Sequence, residues 1–237
     1  MSNPSQTSLL AIQKAYLAYY GRPADYAGLS YWGSVLDQNG GNLNAVIQSF
    51  GNSEESRSLY NSSSVADRVA KVYQQLFNRA ADEGGKAWYV AEIEAGRMSL
   101  ASAALNIMNG ASGDDLPLIE RKVAAAQLFT EDLHDKQMSH AYGEQDILPA
   151  RDYLSQVSTG MSDAELQTHL DSTLQEVMNA NWAQYSVASN SGLNYLGYTD
   201  AMTLNGSQLL FGDVGRINSS NYSSKNDVFL ASIDTNT

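Results

Sequence analysis

Residues 12–32 read IQKAYLAYYGRPADYAGLSYW, and residues 69–89 read VAKVYQQLFNRAADEGGKAWY. These are one pattern written twice. Ile12/Val69, Lys14/Lys71, Tyr16/Tyr73, Tyr20/Phe77, Arg22/Arg79, Ala24/Ala81, Asp25/Asp82 and Gly28/Gly85 fall in register, and Tyr31-Trp32 is answered by Trp88-Tyr89 in reversed order. Val65, Val69, Val72 and Leu76 form a single stripe at helical spacing, so each copy begins with an amphipathic helix. Gly21 and Asn78 stand where that helix must stop, and these are the residue types that best tolerate a left-handed backbone. Pro23 cannot continue the first helix. Asp25 and Asp82 are placed to accept from the free N–H groups of a following helix. Each copy is therefore expected to be a capped helical hairpin.

Two details of the hairpin invite interpretation. Gly28 and Gly85 fall in the first turn of the second helix, where glycine costs about 1 kcal/mol against alanine; close approach of two backbones is the expected compensation. Tyr31, Trp32, Trp88 and Tyr89 are expected to cover the apolar stripe. Arg22 and Arg79 admit two readings. As ligands they would hold an anion or a sugar. As structural residues they would bond the last helix carbonyls or pair with Asp25 and Asp82, which is the reading their cap position favours.

Working outward, each hairpin leads into a second apolar stretch. In repeat one (9–60) it is Leu43, Val46, Ile47 and Phe50, then Ser53-Glu54-Glu55. In repeat two (65–115) it is Leu100, Ala103, Ala104, Ile107 and Met108, then Ser112 to Asp115. Residues 116–183 continue as helix. Ile119, Val123, Ala126 and Leu133 share one face, and Ser162 to Glu165 opens another helix with a capping-box pattern. Lys136 to Gln145 is expected to be a loop. Residues 186–237 are rich in Ser, Asn and Gly. Leu193–Leu196, Leu209–Phe211 and Val228–Leu230 read there as short strands or extended segments. The expected architecture is mainly α, a bundle of helical-hairpin repeats over 1–185, with a short β-rich or extended C-terminal segment over 186–237.

Composition narrows the partners. The formal net charge is −12 over 237 residues, which repels phosphate backbones and anionic lipid, so nucleic acid is not an expected partner. No apolar run reaches the length of a membrane span, and no membrane insertion is expected. Met1 to Thr7 lacks the basic and apolar regions of a cleaved signal peptide. There is no cysteine, which excludes disulfides and thiolate chemistry. Cysteine-free, lysine-poor, Ser/Asn/Thr/Gly-rich composition suits a bacterial protein exported in one step.

Catalytic motifs are nearly absent from the sequence. His134, His140 and His169 show no metal-protease spacing. Glu131, Asp132, His134, Asp135 and His140 are close in sequence, but a solvated acidic loop accounts for them. Glu54-Glu55 and Asp114-Asp115 are explained as helix-end charges. No catalytic residue and no cofactor is expected, although calcium could bridge an acidic surface to a glycan. Tyr195, Tyr198 and Tyr222, in the polar tail, are candidates for exposed contact with a sugar or a neighbouring chain.

The run Tyr16-x-x-x-Tyr20-Gly21-Arg22-Pro23-Ala24-Asp25-x-x-Gly28-x-x-Tyr31-Trp32, followed by Phe50-x-x-Ser53-Glu54-Glu55, resembles a bacterial family of unknown function. The repeats of that family carry a G-R-x-x-D-x-x-G-x-x-[YF]-W signature. Lys122 to Glu131 and Ala150 to Leu154 resemble its later helices, so the likeness extends over about residues 9–180. Copy two departs from the signature at Asn78, Ala80 and the Trp88-Tyr89 order. Phycobilisome linker domains share a related pattern. The resemblance implies a secreted or surface-layer-type protein leaving by type I secretion, similar to the helical anchoring domains that hold such layers to lipopolysaccharide. It implies Gly21, Asp25, Gly28 and Trp32, with Asn78, Asp82, Gly85 and Trp88, as the structural motif. The expected function is non-enzymatic: self-assembly, adhesion or polysaccharide binding at the cell surface or outside it. A linker-like scaffold and a polysaccharide-active enzyme remain as alternatives. The acidic charge opposes the first, and the second would need two facing carboxylates.

Overall fold

The computed structural model describes residues 3–61, 63–136, 146–185, 202–205, 208–211 and 230–231. The chain divides into two units, Met1–Met178 and Asn179–Thr237. It is mainly α, with ten helices among the described residues. These are α1 (Gln6–Tyr20), α2 (Tyr26–Gln38), α3 (Asn44–Asn52), α4 (Glu54–Tyr60), α5 (Val65–Phe77), α6 (Glu83–Glu94), α7 (Leu100–Asn109), α8 (Asp115–Asp135), α9 (Ile147–Gln156) and α10 (Asp163–Tyr185).

Helix α1 is the centre of the first unit. Ile12, Gln13 and every residue from Ala15 to Tyr20 are buried, the pattern of a helix with neighbours on all sides. It packs on α2, α4, α5, α7 and α8. Helix α5, its counterpart in the second copy, buries one stripe only: Val69, Val72, Tyr73, Leu76 and Phe77. The core then runs through Ala104 and Ile107 of α7, Ala126, Phe129 and Leu133 of α8, Tyr153 and Leu154 of α9, and Leu166, Leu170 and Leu174 of α10.

The caps follow from local chemistry. Gly21 ends α1 at φ 66° and Asn78 ends α5 at φ 55°; Asn78 is the one non-glycine residue with positive φ among the described residues. Asp25 and Asp82 cap α2 and α6 through the backbone N–H groups of Gly28 (2.7 Å) and Gly85 (2.6 Å). Ser64 forms a capping box with Asp67, and Ser162 and Glu165 exchange the same reciprocal bonds.

The structure departs from three expectations. The glycines do not serve contact between two backbones. A Cβ on Gly28 would stand 2.5 Å from the Tyr16 hydroxyl and 2.9 Å from the Asp25 carboxylate, and one on Gly85 would stand 2.9 Å from both Tyr73 and Asp82. Each glycine makes room for a tyrosine tip beside the capping aspartate. Nor do all four aromatics cover the stripe. Tyr31 is 61% and Trp88 53% exposed, while Trp32 and Tyr89 pack against the core. The first member of each pair faces solvent and the second faces inward, whichever residue type stands there. Finally, α8 extends to Asp135, so Glu131, Asp132, His134 and Asp135 are helical rather than part of a loop. Residues 137–145, including His140, lie outside the described residues.

In the second unit, β1 (Met202–Asn205) pairs antiparallel with β2 (Gln208–Phe211), and β2 with β3 (Leu230–Ala231). The expected run Leu209–Phe211 falls in β2, and Leu193–Leu196 lies outside the described residues.

Candidate functional site

Both repeated arginines are bound within the fold. Arg22 is buried. Its Nε and Nη2 donate to the two carboxylate oxygens of Glu55, each at 2.8 Å, and its Nη1 donates to the Pro23 carbonyl at 2.9 Å. Its guanidinium carbon lies 4.9 Å from the Tyr16 ring centroid. Arg79 repeats this arrangement. Nε and Nη2 donate to Asp115 at 3.1 and 2.6 Å, and Nη1 to the Ala80 carbonyl at 2.9 Å. Both arginines are bound within the chain, and their closest carboxylates are not the capping aspartates that their position favoured. Asp25 sits 3.9 Å from Arg22, and the bidentate partner is a carboxylate at the acidic end of the next apolar stretch. Glu55 and Asp115 are arginine ligands, which corrects their assignment to helix-end charge alone.

Helix α1 and helix α5 also receive a cation at their C-terminal carbonyls, where a positive charge is favoured. Arg151 of α9 donates from Nε to the Tyr20 carbonyl at 2.9 Å and from Nη2 to Glu55 at 2.6 Å. Lys122 of α8, fully buried, donates from Nζ to the Gln75 carbonyl at 2.6 Å and to Asn78 Oδ1 at 2.7 Å. Burial lowers the pKa of the Lys122 ammonium to about 8. Sequence reading placed Lys122 within a family-like run and assigned it no role.

Tyr26 stacks on His134 with ring centroids 3.6 Å apart, and His169 lies against Tyr153. Among the described residues there is no group of three or more His, Asp or Glu that could hold a metal ion. Tyr195, Tyr198 and Tyr222 lie outside the described residues. No described helix is long and apolar enough to cross a membrane.

A candidate site that no repeated motif announces lies at the seam between the two repeats. A cleft of about 470 Å³ is lined by Tyr19 of α1, Ile47, Gln48, Gly51 and Asn52 of α3, and Ser56, Arg57 and Tyr60 of α4. Asn61, Arg68 of α5, and Ser99, Leu100 and Ala101 at the start of α7 complete it. That volume is within the range of small-ligand sites. Tyr19 and Tyr60 are buried members of the lining. The Tyr19 and Ser56 hydroxyls are 2.6 Å apart, and Tyr60 donates to the Tyr19 carbonyl at 2.5 Å. Burial pushes the pKa of the Tyr19 hydroxyl up, against the opposing pull of its Ser56 bond and of the Arg68 charge. Ile47 and Leu100 give an apolar wall, while Gln48, Asn52, Asn61 and Ser99 give exposed amides and a hydroxyl. No carboxylate lines the cleft, although the chain as a whole carries a net charge of −12.

Neither cleft arginine is a repeated residue. By the register of the copies, Arg57 answers Asp114 and Arg68 answers Ala11. A search guided by what recurs passes over both. The signal that could have found them is the reverse: basic residues at positions where the other copy has none.

A family model described as a domain of unknown function (DUF4214) matches residues 47–112. The match begins at the cleft residue Ile47 and runs past the end of α7, so it includes every cleft residue except Tyr19. It spans the degenerate second copy of the hairpin, and is shorter than the 9–180 over which the motifs resemble such a family. No curated protein and no solved structure matches the chain.

Proposed function

We propose that this chain is a non-enzymatic bacterial surface or secreted structural protein that holds a cell-surface polysaccharide in the cleft between its two repeats. The observation that carries this reading is the lining of the cleft. It combines amides, hydroxyls, two guanidinium groups and an apolar wall, the mixture that satisfies the hydroxyl edges and the C–H faces of sugar rings at once. The chain carries a net charge of −12, so an anionic glycan would be held through local basic groups such as Arg57 and Arg68. Hydrolysis of a glycan would call for two carboxylates flanking the bond, and the lining offers none. An anchor, possessing binding groups without an acid–base pair, is what such a lining suits.

Self-assembly belongs to the same proposal, with the strand-forming tail adding to a neighbouring chain and calcium bridging acidic surfaces. Light scattering of the full chain, with calcium and with chelator, tests that half: a mass that never exceeds the monomer removes it. The anchoring half is tested by retention of the purified chain on immobilised lipopolysaccharide. Retention is expected, and is expected to be lost when Arg57 and Arg68 are both changed to glutamine. A double variant that folds normally and is retained as well as the parent would refute the assignment of the cleft.

A further inference from the structure

We infer that the saccharide taken by this cleft carries an acidic substituent, a carboxylate or a phosphate, and that Arg68 is the residue that selects it. This rests on the glycan reading above and goes beyond it by naming the chemistry of the ligand.

The first observation is the pairing of the arginines. Among the described residues, Arg22 and Arg151 share Glu55, Arg57 meets Glu54, Arg79 meets Asp115, Arg97 meets Glu92 and Arg121 meets Asp163. Arg68 alone among the described arginines has no carboxylate partner. In a chain with 26 acidic residues against 14 basic ones, an arginine left unpaired has been kept clear of many available carboxylates.

The second observation is how Arg68 is held. Its Nε donates to the Ser63 carbonyl at 2.9 Å. That bond fixes one edge of the guanidinium and leaves both terminal amino groups without a hydrogen bond to a described residue. Those two groups form the fork that binds a carboxylate or phosphate in bidentate fashion. Arg68 is half-buried and lines the cleft, where partial removal from water strengthens an ionic contact.

The third observation is Arg57. It bonds the Asn52 carbonyl at 2.9 Å, and its contact with Glu54 is 3.4 Å long, with the two side chains 61% and 85% exposed. A pair that open to solvent contributes little, and the guanidinium can turn toward an incoming anion at small cost. The start of α7 adds the same sign of field. Ser99 caps it by accepting from Ser102 N, and the partial positive charge of a helix N-terminus faces the cleft through Ser99–Ala101.

The test is a glycan array probed with the full chain. The array holds neutral oligosaccharides, the same backbones bearing uronate carboxylates, and the same backbones bearing phosphate. The wild type, Arg68→Gln and Arg68→Lys are compared, with unchanged melting temperature as the control for folding. Binding concentrated on the acidic members is expected. Arg68→Gln should weaken it on the order of tenfold to a hundredfold, the loss of a hydrogen-bonded charge, and Arg68→Lys should fall between. The uronate and phosphate arms tell which anion is preferred. Equal binding to neutral and acidic members, or acidic binding that Arg68→Gln leaves intact, would overturn the inference while leaving a glycan-binding protein. No binding to any glycan would overturn both.

Discussion

The two copies of the hairpin share a local design and differ in depth. In each, an arginine after the left-handed cap grips a distant carboxylate with a fork and returns one bond to the next carbonyl. In each, a cation from a later helix closes the C-terminus of the first helix. The aromatic pair meets edge to face in both copies, at 4.9 and 4.8 Å, despite its reversed order. What differs is the surroundings. The Arg22 and Glu55 side chains are 7% and 15% exposed and are joined by Arg151, whereas those of Arg79 and Asp115 are 45% and 20% exposed and stand as a pair. Helix α2 packs on α8, while α6 buries no residue fully. The lesson is that a motif fixes the local geometry, and the neighbours decide how much that geometry contributes to stability.

The largest difference between the two copies is expected at the carboxylates. Glu55→Ala takes the shared partner from two arginines in a nearly dry setting and is expected to cost ~3–5 kcal/mol. Asp115→Ala, at the repeated position, should cost no more than ~1 kcal/mol. Urea unfolding of the two variants measures both, and equal losses would show that depth does not matter.

The capping cations give a contrast in pH. Lys122 releases its proton at about 8 in the folded chain and near 10.4 when unfolded. Between those values the unfolded chain binds more protons, so stability rises with pH, by roughly 3 kcal/mol if the full interval is crossed. Tyr20 acts in the opposite sense. Burial pushes it up to about 12, so its contribution is present below pH 10 and is lost as pH rises toward 12. A stability maximum near pH 10 is expected, and in Lys122→Met most of the rise should be lost, Lys71, whose pKa burial also lowers, supplying the remainder. Arg151, which closes the other copy, cannot deprotonate in this range, so Arg151→Met should leave the rise in place. Unfolding free energies measured every half unit of pH decide it.

Gly28→Ala and Gly85→Ala are expected to differ by less. The new methyl meets the Tyr16 hydroxyl at 2.5 Å in copy one and the Tyr73 hydroxyl at 2.9 Å in copy two. Overpacking on the order of 1–3 kcal/mol is expected for Gly28→Ala. Gly85→Ala should lose less, because better helix propensity offsets a milder clash. Thermal melts of the two variants would rank them. The smallest effect belongs to Trp88→Ala, expected within ~0.5 kcal/mol as an exposed residue. Trp32→Ala, whose ring packs on Phe50, should lose clearly more.

Much of this was legible in the sequence because it is local. Gly21 and Asn78 announce a left-handed stop, Asp25 and Asp82 an N-cap, and the valine stripe of α5 its buried face. The glycines at 28 and 85 were legible as close contacts but not as contacts with a tyrosine, since Tyr16 and Tyr73 lie on the other helix of the hairpin. The carboxylate partners lie 33 and 36 residues from their arginines, beyond any cap rule, although the acidic end of each copy carried the hint. The cleft was the least legible. It is made by packing α3 and α4 of one copy against α5 and α7 of the next, and its arginines break the repeat instead of following it.

The proposed ligand lies at the seam and not at the repeated motif. The direct measurement is calorimetric titration of an acidic oligosaccharide into the full chain, into Arg68→Gln and into Arg79→Gln. Binding that Arg68→Gln weakens on the order of tenfold to a hundredfold and Arg79→Gln leaves within about twofold, a change below ~0.5 kcal/mol, is the predicted result. Loss of binding in Arg79→Gln with Arg68→Gln unaffected would place the ligand on the repeat and contradict it.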